Sequence, residues 1–245
     1  MVEFILNLIL LKEKISQIEW SRSDRRYIHL IDILGVKIGS EIDFGVENGP
    51  RGKGTIEHLD SEKIKISFKW NPPHAPDFLP IRLLIGLTRP QTCRKVLEQA
   101  TAMGVEEFHF FGAEKGERSY ALSTLWTSDE WREKIRNGVE QAFASHLPSC
   151  MIHENLALAI HELNSQSDIR VALDNYESTT KLTSSFSNHN GRVCLAVGPE
   201  RGWSSGERNQ LRATQFKICG LGTRVLRVET AVVSAIGILG SGFRS

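Results

Sequence analysis

Three prolines between positions 71 and 77 divide the chain into two parts with different hydrophobic patterns. The segment reads Asn71-Pro72-Pro73-His74-Ala75-Pro76-Asp77. It excludes a helix and a central strand, because proline lacks the backbone N–H that both need. Before it, apolar and polar residues alternate in short runs, whereas after it near-continuous apolar runs alternate with helical stretches. We therefore predict two domains, residues 1–75 and residues 76–245.

The first part has the pattern of a small β-barrel. Residues 41–44, 55–59 and 63–68 alternate as half-buried strands do. The segment 48–54 carries three glycines and a proline, which predicts a hairpin turn. One helical stretch near 25–34 interrupts these strands. The opening apolar run 1–11 is far short of the roughly 20 residues of a membrane span and lacks a signal-peptide cleavage site, so we expect an N-terminal strand and a cytoplasmic location.

The second part has the pattern of an α/β domain. Apolar runs at 81–87, 108–111, 169–173, 193–197 and 216–221 are typical of strands buried on both faces. Helical periodicity separates them, and capping-box sequences at 127–130 and 204–207 predict two helix starts. A final helix is predicted from about 228 to 239. Strands that alternate with helices indicate a mostly parallel sheet.

Composition limits the function in two ways. The chain has 30 Lys+Arg against 29 Asp+Glu, so any binding of nucleic acid must come from a local basic patch rather than from bulk charge. The four cysteines (Cys93, Cys150, Cys194 and Cys219) form no CxxC pair, and the eight histidines form no HExxH. Buried, unreactive thiols are expected, and no metal site is predicted.

Three loops follow predicted strands, at the edge where parallel α/β sheets bind ligands. They are residues 174–176, 198–203 and 221–226. No GxGxxG follows a strand and no GxxxxGK[ST] occurs, so the usual nucleotide-phosphate loops are absent from the sequence. Glycine-rich main chain could clasp an uncharged adenine, but the same residues also suit tight strand-to-helix turns. The residues alone leave both interpretations open.

Two of these loops carry a resemblance to a known family. Residues 197–204 read VGPERGWS and residues 221–231 read LGTRVLRVETA. They closely resemble the paired motifs, approximately GPEGG with a following S and LGxRILRxETA, of the 16S rRNA uridine-N3 methyltransferases. That family belongs to the SPOUT (trefoil-knot) superfamily. Residues 116–119 and 99–105 are similar to two further segments of the family, and the N-terminal part resembles its PUA-like RNA-binding domain.

The resemblance implies a SPOUT-type knotted α/β domain with a mostly parallel sheet, preceded by a small PUA-like β-barrel. It also implies a homodimer that methylates N3 of a uridine in 16S rRNA of the small ribosomal subunit, with S-adenosylmethionine as cofactor and no metal. Carried over to this sequence, the cofactor site is formed by Leu173, Gly198, Pro199, Glu200, Leu221, Gly222 and Leu226.

The same resemblance supplies candidates for catalysis. Arg224 and Arg227 suit stabilisation of charge on the uracil oxygens. Glu229 could accept a proton or orient an arginine, although an acidic residue in the first turn of a helix is also favoured by the helix dipole. The residues themselves indicate the candidate RNA contacts. Arg22, Arg25 and Arg26 form the densest basic cluster of the N-terminal part, for which a solvated helix face is the alternative. Arg118, in the loop after the second strand of the second part, could reach the RNA or the other subunit.

Departures from the family pattern keep two other functions open. Arg201 replaces a glycine, Ala102-Met103 replaces Glu-Leu, and Gly35 stands where the family has an arginine. A methyltransferase acting on another rRNA or tRNA site is one alternative. A non-catalytic RNA-binding assembly factor is the other, if Arg201 fills the cofactor pocket. Trp203 is expected either at a dimer interface or over the cofactor.

Overall fold

The computed structural model describes residues 8–163, 168–185 and 191–243. The chain falls into two compact units. Unit 1 comprises Met1–Asp77 and Val139–Leu147, and unit 2 comprises Phe78–Gly138 and Pro148–Ser245. The segment Val139–Leu147, which the sequence analysis includes in the second domain, therefore lies with unit 1.

Hydrogen bonds explain why this segment belongs to unit 1. The backbone N–H of Leu10 donates to Glu140 Oε1 at 3.0 Å. The backbone N–H of Asn48 donates to the carbonyl of Ser145 at 2.7 Å. These bonds join positions roughly a hundred residues apart, so no local pattern in the sequence could have predicted them.

Unit 1 is built on one five-stranded sheet with the order β1-β3-β4-β5-β2. The strands are β1 (Ile9–Leu11), β2 (Gln17–Ser21), β3 (Glu41–Val46), β4 (Arg51–Leu59) and β5 (Lys63–Trp70). β1 runs parallel to β3, and the other pairs are antiparallel. Within the described residues β1 and β2 stand at opposite edges, so the expected barrel is an open sheet here. Of the predicted N-terminal strand, residues 1–7 lie outside the described ranges.

The helix predicted near 25–34 is present and covers this sheet. It consists of α1 (Arg25–Ile28) followed by a π-helix at His29–Ile33. Its Tyr27 and Leu30 join the buried side chains of the strands in one apolar cluster. The β3–β4 turn is shorter than predicted, since Gly52 and Gly54 already belong to β4. A Cβ at either position would collide with β5 or β3, because neighbouring atoms leave no room for it.

Unit 2 is built on a seven-stranded sheet in which every pair is parallel. Its strands are β6 (Leu79–Gly86), β7 (Val105–Phe111), β8 (Ser149–His153), β9 (Ile169–Leu173), β10 (Thr180–Lys181), β11 (Val193–Val197) and β12 (Lys217–Gly220). Their order is β10-β12-β9-β11-β6-β7-β8. The predicted α/β class with a parallel sheet is confirmed. All five residues of the central strand β11 are buried, as expected for a strand covered on both faces.

Helices follow most strands of this sheet. They are α2 (Pro90–Ala102), α3 (Thr124–Thr127), α4 (Glu130–Gln141), α5 (Leu156–Glu162), α6 (Leu182–Ser185), α7 (Ser205–Ala213) and α8 (Val228–Gly240), with a 3₁₀ helix at Arg118–Leu122. Among the described helices, none has the length and apolar character that a membrane crossing requires. The capping box predicted at 204–207 forms. The one predicted at 127–130 does not, because Thr127 ends α3 and its hydroxyl donates to the carbonyl of Ser123.

Candidate functional site

A cavity of about 730 Å³ opens at the carboxyl edge of the unit 2 sheet. Four strands adjacent in that sheet, β12, β9, β11 and β6, run parallel. Their carboxyl ends therefore meet at one edge, which is the usual ligand position in such sheets. The volume falls in the range of small-molecule sites. All the residues that line the cavity belong to unit 2.

A buried tryptophan, Trp203, holds the loop after β11 in place. Trp203 is 1 % exposed, and its indole Nε1–H donates to the carbonyl of Leu173 at 2.8 Å. The ring stacks against Phe111 with centroids 5.9 Å apart. A Cβ at Gly198 would lie 3.2 Å from the indole, so glycine lets the main chain lie close over the ring. Trp203 is thus a core residue that joins two loops of the site.

Glu200 and Arg201 point to different surroundings. Glu200 Oε1 accepts a hydrogen bond from the backbone N–H of Arg89 at 3.0 Å, at the start of α2. Arg201 is exposed and is not among the lining residues. The arginine that replaces a glycine of the family motif therefore does not occupy the cavity.

A buried carboxylate holds the end of this loop. Glu207 is 2 % exposed and accepts from the backbone N–H of Ser204 at 2.8 Å. Its other oxygen accepts from the backbone N–H of Glu114 at 3.0 Å. The Ser204 hydroxyl accepts from the N–H of Glu207 at 3.0 Å, which completes the capping box. One side chain thus caps α7 and anchors the loop after β7.

The loop after β9 is held by an ion pair. Asp174 is 6 % exposed and pairs with the Arg208 guanidinium. The hydrogen bond to Asp174 raises the pKa of Arg208 despite the opposing effect of burial. Asp174 Oδ1 also accepts from the backbone N–H of Tyr176 at 2.7 Å. Tyr176 lines the cavity and leaves 79 % of its surface exposed, so its ring stands at the mouth.

Another wall of the cavity is formed by the loop after β12 and the first turn of α8. Glu229 Oε1 lies 3.2 Å from Lys95 Nζ of α2. Burial acts to raise the pKa of Glu229, but its own backbone N–H, the Lys95 ammonium and the charge of Arg227 lower the pKa by more. The pKa of Glu229 is lower than the ordinary value for a glutamate. Glu229 is therefore ionised at neutral pH and poorly suited to hold a proton.

The structure brings most of the predicted site residues together. The lining residues include Leu173, Gly198, Pro199, Glu200, Leu221, Leu226, Arg227 and Glu229. Gly222 and Arg224 are exposed and lie outside the lining. Gly222 has φ +136°, a conformation that favours glycine.

Three of the four candidate RNA contacts lie in unit 1. Arg26 donates to both oxygens of Asp24, at 2.9 and 2.6 Å, and its guanidinium lies 4.3 Å from the centroid of a Trp20 ring. Arg22 and Arg25 are exposed. Arg118 is exposed in unit 2, at the start of the 3₁₀ helix. The contacts of Arg26 with Asp24 and Trp20 give this arginine a structural role.

One wall of the cavity contains none of the site residues that were predicted from the sequence. Arg89, Gln91, Thr92 and Lys95 all line it, and they lie directly after β6 or in the first turns of α2. The rule about carboxyl ends of parallel strands applies to β6 as well as to the three loops chosen. Tyr176 lay within a chosen loop, but no motif singled it out.

The four cysteines lie outside the lining of this cavity. All four cysteines are free thiols. Burial raises the pKa of Cys150 and of Cys194 to about 12 and also raises the pKa of Cys93, which disfavours the reactive thiolate at these three positions. In the part of the chain that the structure describes, no group of three or more His, Cys, Asp or Glu could hold a metal ion.

Comparison with known proteins gives consistent results. The model of the RNA methyltransferase domain family matches residues 75–240. The ribosomal RNA small subunit methyltransferase E of Treponema pallidum is 28 % identical over 220 residues, which cover 88 % of this chain and 82 % of that protein. The ribosomal RNA small subunit methyltransferase E 1 of Borreliella burgdorferi is 26 % identical over 219 residues, which cover 88 % of this chain and 89 % of that protein.

Solved structures share the fold. The ribosomal RNA small subunit methyltransferase E of Neisseria gonorrhoeae, described as bound to S-adenosyl methionine, superposes with a TM-score of 0.78 at 19 % identity, covering 97 % of this chain and 98 % of that one. A methyltransferase of Legionella pneumophila, described in complex with the same cofactor, has a TM-score of 0.77 at 18 % identity, with 96 % of each chain covered.

Proposed function

The chain belongs to the RNA methyltransferase family whose model matches residues 75–240, and on that basis we propose that it transfers a methyl group from S-adenosylmethionine to N3 of a uridine in 16S rRNA. The observation that carries the proposal is the cavity at the carboxyl edge of the unit 2 sheet. Its lining combines glycine and apolar residues of the loops after β9, β11 and β12 with charged side chains such as Lys95, Arg227 and Glu229. The glycine and apolar residues suit a nucleoside cofactor, and the charged side chains suit a polar acceptor base.

The glycine and apolar residues of the loops fit the cofactor. Leu173, Gly198, Leu221 and Leu226 would hold it, since loops rich in glycine expose main-chain donors and acceptors that can read an adenine edge. The cavity volume of about 730 Å³ is sufficient for a ligand of this size. When bound, S-adenosylmethionine supplies a methyl group on a positively charged sulfur. Arg201 lies outside the lining, which favours a functional cofactor site over the non-catalytic alternative.

The charged residues of the lining support the chemistry of the acceptor base. Holding the base in line with the methyl group removes much of the entropic cost of the reaction. Arg227 and Glu229 belong to the lining and form our catalytic assignment together with Arg224. Arg227, which lines the cavity, would stabilise charge on the uracil oxygens. Arg224, which is exposed outside the lining, is assigned the same role from the motif alone. Because its pKa is lowered, we assign Glu229 the task of orienting cations rather than of accepting the N3 proton.

Several finer assignments belong to the same proposal. We assign the methyltransferase unit to the SPOUT superfamily, with a knot near the C-terminus and a homodimer whose active site lies at the subunit interface. Residues 1–75 are assigned as a PUA-like RNA-binding domain and residues 76–245 as the methyltransferase domain. The RNA contacts are Arg22, Arg25, Arg26 and Arg118, the substrate is the small ribosomal subunit, no metal takes part, and the location is cytoplasmic. The names of the relatives from Treponema and Borreliella support the substrate class.

The test is transfer of labelled methyl from S-adenosylmethionine to small ribosomal subunits that lack modification, followed by nucleoside analysis. Label in N3-methyluridine is the expected result. Label in another nucleoside would support the assigned cofactor and reaction type but would show that the target base is a different one. Absence of both label and cofactor binding would refute the enzyme and leave an RNA-binding assembly factor.

A further inference from the structure

The residues of α2 that line the cavity lie outside the two sequence motifs, residues 197–204 and 221–231. Gln91, Thr92 and Lys95 share one face of this helix, because positions three and four apart are neighbours on a helix surface. All three line the cavity, as do Arg227 and Glu229 at the start of α8. The ion pair of Lys95 with Glu229, 3.2 Å long, joins the two walls.

The two members of this ion pair are unequally exposed. The Lys95 side chain is 53 % exposed, whereas that of Glu229 is 12 % exposed. A lysine ammonium has three N–H donors, and one bond to Glu229 leaves donors for a ligand. The carboxylate is therefore the fixed, desolvated partner, and the ammonium is the accessible one.

A second ion pair of α2 shows the reverse arrangement and provides a control. Lys134 Nζ of α4 lies 3.4 Å from Glu98 Oε2, with side chains 26 % and 46 % exposed. Neither residue lines the cavity. This pair has the same chemistry between two helices of unit 2, but its ammonium is the more buried partner.

The chemistry of the acceptor base favours a cation beside Glu229. When N3 of uracil loses its proton, negative charge spreads onto the neighbouring ring oxygens. A carboxylate beside that charge is repulsive, and Glu229 is ionised. A positively charged donor placed where the charge develops offsets the repulsion and lowers the barrier. Lys95 is such a donor, and Glu229 keeps it at the cavity.

Resting on the function proposed above, we infer that Lys95 is a catalytic residue, whose ammonium hydrogen-bonds a uracil oxygen that becomes negative as N3 is deprotonated. In this step the N3 proton leaves to solvent water and its electron pair stays on nitrogen. N3 then bonds to the methyl carbon, and the electron pair of the broken carbon–sulfur bond returns to sulfur. Charge balances, because the sulfonium becomes a neutral thioether and the uracil anion becomes a neutral N3-methyl base.

The test compares Lys95→Met, Lys95→Arg and the control Lys134→Met in single-turnover methyl transfer over a range of pH. Each variant is assayed with small subunits containing uridine and with subunits containing 5-fluorouridine, whose N3–H is more acidic. We expect Lys95→Met to lose on the order of 100-fold in rate at neutral pH, as for loss of one charge-stabilising donor. Its rate should recover at higher pH and with 5-fluorouridine. Lys95→Arg should keep most of the rate, and Lys134→Met all of it.

The outcomes separate the possible roles of Lys95. A rate for Lys95→Met equal to that of the wild type would overturn the inference. So would an equal loss at every pH and with both substrates, because a lysine that only held Glu229 in place would not respond to the acidity of N3. Thermal unfolding and cofactor titration of each variant establish that the fold and cofactor site are intact. A wild-type protein that transfers no methyl would refute the proposed function as well, and label in another nucleoside would overturn only the uracil chemistry.

Discussion

The carboxylate of Glu207 accepts two backbone N–H groups from different loops, so one isosteric substitution tests how the loops around the cavity are held. The donors are Ser204 at 2.8 Å and Glu114 at 3.0 Å, and Glu207 is 2 % exposed. Glu207→Gln preserves the shape of the side chain but places an amide NH₂ against one of these donors. One N–H therefore loses its acceptor, and no cavity is created.

The size of the effect follows from that single loss. A hydrogen bond to a charged group contributes about 1.5–3 kcal/mol, and an unsatisfied buried donor is costly in addition, so we expect the free energy of unfolding to fall by about 3 kcal/mol. For a chain of this length each 1 kcal/mol lowers the melting temperature by roughly 2–4 °C, which gives an expected decrease of about 6–12 °C. Cofactor affinity should fall as well, because the loop that Ser204 ends lines the cavity.

The assay is thermal unfolding followed by circular dichroism, together with calorimetric titration of S-adenosylmethionine. Glu154→Gln is the matched control, since it makes the same change at an exposed position of unit 2. A melting temperature of Glu207→Gln within about 2 °C of the control would refute the reasoning, because it would mean that losing the acceptor of one N–H costs no more than about 1 kcal/mol. A large decrease in melting temperature without any loss of cofactor affinity would refute only the link to the cavity.

Three further predictions concern residues whose roles the sequence left open. Arg26→Ala should lower the melting temperature measurably, because the guanidinium packs on Trp20, whereas Arg22→Ala should leave the melting temperature unchanged and weaken binding of small-subunit RNA in a salt-dependent filter assay. Arg201→Gly should change the dissociation constant of S-adenosylmethionine, measured by calorimetry, by less than about twofold, since an exposed side chain outside the cavity contributes little. Cys194, whose pKa is raised to about 12 by burial, should resist a thiolate-specific reagent at pH 8 until the protein is unfolded, and rapid labelling of Cys194 in the native protein, located by peptide mass mapping, would contradict this.

Features that depend on neighbouring residues could be predicted from the sequence. The buried run of β11, the capping box at Ser204 and the final helix α8 each depend on a short stretch of sequence, and the structure confirms them. The loops after β9, β11 and β12 could also be placed, because all parallel strands end at the same edge of their sheet. These two kinds of information suffice to find most of the cavity.

Features that depend on contacts between distant residues were decided by the tertiary structure alone. Trp203 lies under the site because its indole reaches the carbonyl of Leu173, thirty positions away, and no pattern encodes that meeting. The ion pair of Lys95 with Glu229 spans more than half of the chain. Local sequence determined which elements form and which loops face the cavity. The packing of α2 against α8 decided which charges meet there, since that depends on the relative position of elements that are remote in sequence.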